Sequence, residues 1–153
     1  MPRRELKNGQ QVTDWLLEVS RQITQPGCMI LIGSAALLWY AHDRGLAAEL
    51  PEASMDVDPL TDSDEIARIC YDCVIGSEFE KRYGWHVNLM PDTVLNELPE
   101  DWRSRAVVRN YGLLTLTVPA PEDSLVPKLK RGEPRDLKHY EWAKKVGLIK
   151  AVP

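Results

Sequence analysis

Two short groups of residues have types and spacing suited to chemistry on a phosphate. The first is Gly33-Ser34, which follows the apolar run Cys28–Ile32 and leads into Ala35-Ala36-Leu37-Leu38-Trp39. An apolar run that stops at Gly-Ser and passes at once into helical spacing predicts a buried strand turning directly into a helix. The first N–H groups of such a helix have no intrahelical partner. A glycine there lets another group approach the backbone, and a serine can cap the helix or donate its hydroxyl to an anion. Small Ala35 and Ala36 in the first turn also let helix and strand pack closely, which explains the pattern without a ligand. The second group is Asp56-Val57-Asp58. In a strand the alternation of side chains puts both carboxylates on one face and Val57 on the other, so two hard oxygen ligands can meet one divalent cation, with magnesium the natural guest. Gly33 and Asp56 lie 23 positions apart, enough for a helix of about three turns and a returning strand.

A Gly-Ser at a strand-to-helix turn followed by Asp-x-Asp on the next strand resembles the polymerase-β-like nucleotidyltransferase superfamily. Within it, the chain is most similar to small prokaryotic members, which include the AbiE-type toxin nucleotidyltransferases and related uncharacterised domains. The likeness extends to Lys128-Leu-Lys-Arg-Gly-Glu-Pro-Arg-Asp-Leu137, which is similar to that branch's helical lysine followed by an Arg-x-x-Asp-like stretch, and it spans roughly residues 28–147. It implies an α/β (α+β) nucleotidyltransferase-like fold, with a central mixed sheet of about 4–6 strands flanked by helices and further helices toward the C-terminus. It also implies magnesium-dependent transfer of a nucleotidyl group from a nucleoside triphosphate to a hydroxyl acceptor, an RNA or a protein among the candidates. Gly33, Ser34 and Lys128 would then bind the nucleotide, Asp56 and Asp58 would hold Mg2+, and Asp136 would orient the last helix.

The sequence departs from that pattern in two places. Where the resemblance calls for a third carboxylate, on a strand beside Asp-x-Asp, Asn88 stands instead. An amide oxygen can coordinate magnesium but brings no charge and takes no proton from an attacking hydroxyl. His86, two positions earlier on the same strand face, and Asp92, just beyond the strand, are the substitutes for base or ligand. The arginine that precedes Asp-x-Asp in much of the branch is replaced by Glu52 and Ala53, while Ser54 matches its hydroxyl residue. These departures define the alternative: a catalytically degenerate module that binds a nucleotide or a cognate protein partner. A toxin–antitoxin or phage-defence role belongs to the resemblance alone.

The elements that must position these groups follow in order. Residues 5–24 carry Val12, Trp15, Leu16, Val19 and Ile23 at helical spacing, and Pro26-Gly27 ends that amphipathic helix. A central helix runs from Ser34 to about Arg44, with Gly45 as its C-terminal stop. A connection at 46–53 leads to a strand at 55–60. A helix follows over about 62–74, capped by Thr61 or Ser63, with Ile66, Ile69, Cys70 and Cys73 inward and Asp62, Asp64 and Glu65 complementing its dipole. Residues 76–84 read as a polar passage. The strand of Trp85-His-Val-Asn-Leu-Met90 stops before Pro91. A short helix over 92–98 and a turn over 99–103 come next. A β-hairpin of 106–109 and 113–118 is parted by Asn110-Tyr-Gly112. A helix then runs through Leu125, Val126 and Leu129, capped by Asp123 or Ser124. The last helix, 135–146, packs through Leu137, Tyr140, Trp142, Ala143 and Val146. Trp102 and Tyr111 read as packing residues rather than base-stacking platforms.

Composition bounds the rest. The chain has 153 residues, 44% of them hydrophobic and 27% charged, which suits one globular domain over 1–153 with a core of about 28–118 and a helical part of about 121–150. A net charge of −4 gives no global attraction to nucleic acid, although Lys128, Lys130, Arg131, Arg135, Lys138, Lys144 and Lys145 concentrate toward the C-terminus. Cys70-Tyr-Asp-Cys73 falls late in a helix rather than at a strand-to-helix turn, which argues against a redox motif, and the lack of a second Cys-x-x-Cys argues against zinc. Three cysteines fit a reducing cytoplasm. No run approaches the ~20 apolar residues of a membrane span, and Met-Pro-Arg-Arg has no hydrophobic region after it.

Overall fold

The computed structural model describes residues 6–46, 49–50 and 56–150. Its centre is a five-stranded mixed sheet in the order β3-β2-β1-β5-β4. The strands are β1 (Gly27–Ile32), β2 (Asp56–Thr61), β3 (His86–Val87), β4 (Val107–Tyr111) and β5 (Leu114–Val118). β1 lies antiparallel to β2 and parallel to β5, β3 runs parallel to β2, and β4 and β5 form the hairpin. Helices α1 (Gly9–Gln22), α2 (Gly33–Asp43), α6 (Pro121–Arg131) and α7 (Pro134–Val146) supply the large helical surfaces. Short helices α3 (Asp64–Tyr71), α4 (Glu78–Tyr83) and α5 (Trp102–Arg105) lie between the strands. The α/β architecture with C-terminal helices is the one the sequence implies.

Alternation along β1 and β5 decides which face is covered. Met29 and Leu31 are buried together with Leu114, Leu116 and Val118, while Cys28, Thr115 and Thr117 on the other face keep contact with solvent. The core is therefore concentrated on one side of the sheet. There α2 is buried nearly all round, from Ala35 to Ala41, and packs against α1 and α6. Gly9 allows the close approach of α1, since a Cβ there would run into the Leu38 carbonyl and His42. Two hydrogen bonds pin α2 to the hairpin: Trp39 Nε1 donates to the Tyr111 hydroxyl (3.0 Å) and the Tyr40 hydroxyl donates to the Val118 carbonyl (2.9 Å). The Gly33-Ser34 turn is thus fixed at both ends, by β1 in mid-sheet and by a helix anchored in the core.

Several boundaries differ from the sequence expectations for identifiable reasons. α1 starts at Gly9 because Asn8 and Gln11 form a reciprocal capping box. Ser63, not Thr61, caps α3, accepting from Ile66 N at 3.2 Å. Glu65 is not mere dipole surface, because its carboxylate accepts from the Thr24 and Gln25 backbone N–H groups and the Thr24 hydroxyl, tying α3 to the loop before β1. The polar passage 76–84 contains helix α4, opened by Ser77 and closed by Gly84 in the left-handed region. The strand of 85–90 keeps ladder geometry only at His86–Val87, although Asn88 N and Met90 N still donate to the Val57 and Pro59 carbonyls. Pro59 has no N–H to return a bond, which shortens the pairing.

Asn110 and Tyr111 belong to β4 rather than to the turn, and Trp102 heads a one-turn helix where a turn is read. α6 begins with Pro121 at its first position, so Asp123 and Ser124 lie inside the first turn and do not cap it. Leu137 is not a packing residue: it is 48% exposed, and Asp136 and His139 take the buried face of α7. The strand residue Met55, the 52–54 positions and part of the 46–53 connection lie outside the described residues. Among the described residues no helix is long and apolar enough to cross a membrane.

Candidate functional site

Register brings the two sequence groups together. β2 pairs with β1 so that Asp58 stands opposite Ile32, the residue before Gly33. Gly33 has φ +74°, and a Cβ built on it would lie 3.0 Å from Asp58 Oδ2. Only glycine allows both the left-handed backbone and the approach of that carboxylate. Replacing Gly33 with alanine is therefore expected to cost about 1–3 kcal/mol and to displace Asp58. Urea denaturation checks the first effect, and an unchanged midpoint would show that the turn tolerates a side chain.

The carboxylates of Asp56 and Asp58 meet on one face of β2, where they share a hydrogen bond and repel one another. Burial first, and then the Asp56 charge and hydrogen bond, push the Asp58 carboxyl up to about 7, against the Asn88 amide and the distant Lys128 charge that pull it down. β3 sets Val87 beside Val57, which carries Asn88 to Asp58 at the position where the third acid is expected. Asp58 Oδ1 is buried without a hydrogen-bond partner. Two crowded carboxylates, one with an orphaned buried oxygen, beside a neutral amide suit a divalent cation that completes its shell with water and phosphate oxygens. Among the described residues no set of three His, Cys, Asp or Glu side chains converges as a full metal cage, and magnesium, which takes one or two carboxylates plus phosphate oxygens, needs none.

The substitutes for Asn88 fare differently. His86 is committed to Glu80, whose carboxylate lies 2.9 Å from its Nδ1, though the alignment makes no hydrogen bond to that nitrogen. Asp92 is exposed at the start of a short 3₁₀ helix (Asp92–Glu97).

Behind the turn lies a second cluster. Ser34, Lys128, Asp136 and His139 are all at least nine-tenths buried. Lys128 Nζ donates to Ser34 Oγ at 2.8 Å, lies 3.2 Å from His139 Nδ1 and 3.8 Å from Asp136 Oδ1. Arg131 grips Asp136 through two hydrogen bonds, of 3.2 and 2.7 Å. Burial draws the Lys128 ammonium down to about 8, opposed by the Asp136 carboxylate. Burial also works against the Asp136 charge, yet the hydrogen bonds and charge of Arg131, with Lys128, hold that carboxyl below its usual range.

Lys128 is therefore not an open surface cation: it reaches the turn from inside, through Ser34. Sequence reasoning missed His139. The available signal was the i, i+3, i+7 row Asp136, His139, Ala143, which puts a histidine on the inward face of α7. Cys70 and Cys73 are buried free thiols and Cys28 is an exposed one. Trp102 is buried, and the Tyr111 hydroxyl is held by Trp39, so neither offers a free platform.

A cavity of about 540 Å³ lies between α1, α3 and α4, floored by Trp15, Phe79 and Trp85. It contains none of the carboxylate or turn residues. Of the acids that line it, Glu18 and Glu78 are paired with Arg21 and Lys81 and Asp14 accepts from Gln10, so it is not the chemical centre.

A mixed sheet that carries a glycine-serine turn at the end of a central strand, faced by two carboxylates on its neighbour, is the arrangement expected of a nucleotidyltransferase-type domain. The chain belongs to the family described as nucleotidyltransferase of unknown function (DUF6036), whose model matches residues 10–152. No curated protein and no solved structure matches it.

Proposed function

We propose that the protein transfers a nucleotidyl group from a nucleoside triphosphate to a hydroxyl acceptor, with Asp56 and Asp58 holding magnesium and the Gly33-Ser34 turn receiving the triphosphate. The observation that carries this reading is the buried, partnerless Asp58 Oδ1, placed beside a second carboxylate and under a left-handed glycine. When bound, magnesium would neutralise charge at the attacked phosphorus and on the departing pyrophosphate. The chain's own residues bind and orient: Ser34 and the first N–H groups of α2 face the phosphates, and Lys128 supplies positive charge from behind Ser34. Asn88 cannot accept a proton, so the acceptor hydroxyl's proton falls to the carboxylates of β2.

A calorimetric titration of ATP, GTP, CTP and UTP, with and without magnesium, on the wild type and on Asp56→Ala tests the reading. Magnesium-dependent binding that the variant loses is the expected result. If no triphosphate binds the wild type under either condition, the reading fails.

Asn88 favours one second reading. A neutral amide beside Asp58 in place of a third acid suits a degenerate module that binds a nucleotide or a cognate protein without turnover. Such a module, in an AbiE-like toxin–antitoxin or phage-defence pair, would bind partner or nucleotide but label no RNA or protein acceptor in a transfer assay.

A further inference from the structure

The polarity of the buried cluster can be worked out donor by donor. A lysine ammonium has three N–H donors and no acceptor. Lys128 Nζ lies 2.8 Å from Ser34 Oγ and 3.2 Å from His139 Nδ1, so both atoms act as acceptors toward it. His139 Nδ1 must then carry a lone pair, which puts the ring proton on Nε2. Ser34 Oγ, having accepted from Lys128, keeps its own proton to give. Among the described residues, the acceptor within hydrogen-bond distance of it is the same His139 Nδ1, at a longer 3.4 Å. That lone pair is already taken by the charged and closer donor. The Ser34 hydroxyl proton is therefore surplus, at the first turn of α2 and beside the unpaired N–H groups of that turn.

We infer that His139 is a positioning residue: by accepting from Lys128 it aims the ammonium at Ser34 and leaves the Ser34 hydroxyl to donate to a phosphate oxygen arriving at the Gly33-Ser34 turn. Labour in the cluster divides accordingly. Asp136, clamped by Arg131, supplies the charge that keeps an ammonium inside the protein. His139, with no exposed surface, supplies direction. Lys128 acts on the ligand through Ser34 rather than by reaching it. The inference rests on the triphosphate reading of the turn and adds to it the residue that polarises the turn.

The test uses the full chain, with magnesium-ATP, magnesium tripolyphosphate and AMP as probes, on the wild type, His139→Leu and His139→Gln. His139→Leu removes the acceptor and is expected to weaken binding of ATP and tripolyphosphate by about tenfold, the worth of one oriented charged contact, with AMP little changed. His139→Gln, whose side-chain oxygen can accept from Lys128, is expected to retain affinity within about threefold. A folded His139→Leu that binds ATP as the wild type does, or that loses ATP and AMP equally, overturns the inference. Nitrogen-15 NMR of the wild-type ring decides the matter even if His139→Leu does not fold: the proton is expected on Nε2, and a proton on Nδ1 overturns the assignment. Wild-type protein that binds neither ATP nor tripolyphosphate removes the underlying nucleotidyltransferase reading as well, whereas normal wild-type binding with an indifferent His139→Leu removes this inference alone.

Discussion

Asp58→Asn is expected to make the metal-free protein more stable at pH 8 while abolishing magnesium-dependent triphosphate binding. Burial and the neighbouring Asp56 charge raise the Asp58 carboxyl from an ordinary 3.8 to about 7. A carboxyl raised in the folded state favours folding in its protonated form. That contribution is complete below the unfolded value near 3.8 and is lost as pH rises through about 7. At pH 8 the folded protein therefore holds an ionised, crowded carboxylate that the amide of the variant would not be. The expected gain is about 2 kcal/mol, or several degrees in melting temperature for a chain of this size. Thermal melts from pH 5 to 8 in chelator check it: wild-type stability should fall across that range, and that of the variant should stay nearly flat. A variant less stable than the wild type at pH 8 would mean that Asp58 is held by favourable contacts rather than strained by unfavourable ones. Stability gained where function is lost is the usual mark of an active-site carboxylate kept for its ligand.

The second large effect is expected at Asp136. Its side chain is 2% exposed and satisfies both Arg131 and Lys128. Asp136→Ala leaves the Lys128 ammonium in the interior without a counter-charge, at an expected cost of about 3–5 kcal/mol. Arg131→Ala should cost far less, because that guanidinium is 59% exposed and its removal still leaves Asp136 facing Lys128. The pH sign is opposite to that of Asp58. A carboxyl held below its usual range stabilises the fold above the ordinary carboxylate pKa, and the contribution is lost as pH falls through its lowered value. Denaturation midpoints of wild type and Asp136→Ala should therefore lie far apart at pH 7 and converge in strong acid. Equal midpoints at pH 7 would show that Lys128 is neutral in the folded protein.

These effects separate what the sequence discloses from what it does not. The Gly33-Ser34 turn, the Asp-x-Asp strand and the central helix were legible because each is local. An apolar run stops at a glycine, a period of two puts two acids on one face, and an apolar period names the buried helix. The strand that carries Asn88 was legible because alternating residues stop at Pro91, and Asn88 itself stood out only through the resemblance, which calls for a third acid there. Its contact with Asp58 was not, since pairing between β2 and β3 depends on tertiary register. Helix α4 was hidden by its polar composition, although Ser77 and Gly84 bracket it with an N-cap and a left-handed stop. Leu137 was misread and His139 missed for one reason. Hydrophobicity alone turns α7 with its leucine inward, but the charged cluster at Lys128 turns it so that Asp136 and His139 face in. Burial of a polar residue through partners 94 and 105 positions away leaves no trace in a window of neighbouring residues.

Those separations also have a consequence in time. Ser34 is placed by β1 and α2 early in the chain, whereas Lys128 and His139 arrive on the last two helices. During synthesis, N-terminal parts of a chain collapse before later ones emerge. The β2 carboxylates would then be in place while the opposite wall of the site had not yet left the ribosome. The contact of Ser34 with Lys128 and His139 would thus form only as a late event, when α6 and α7 dock.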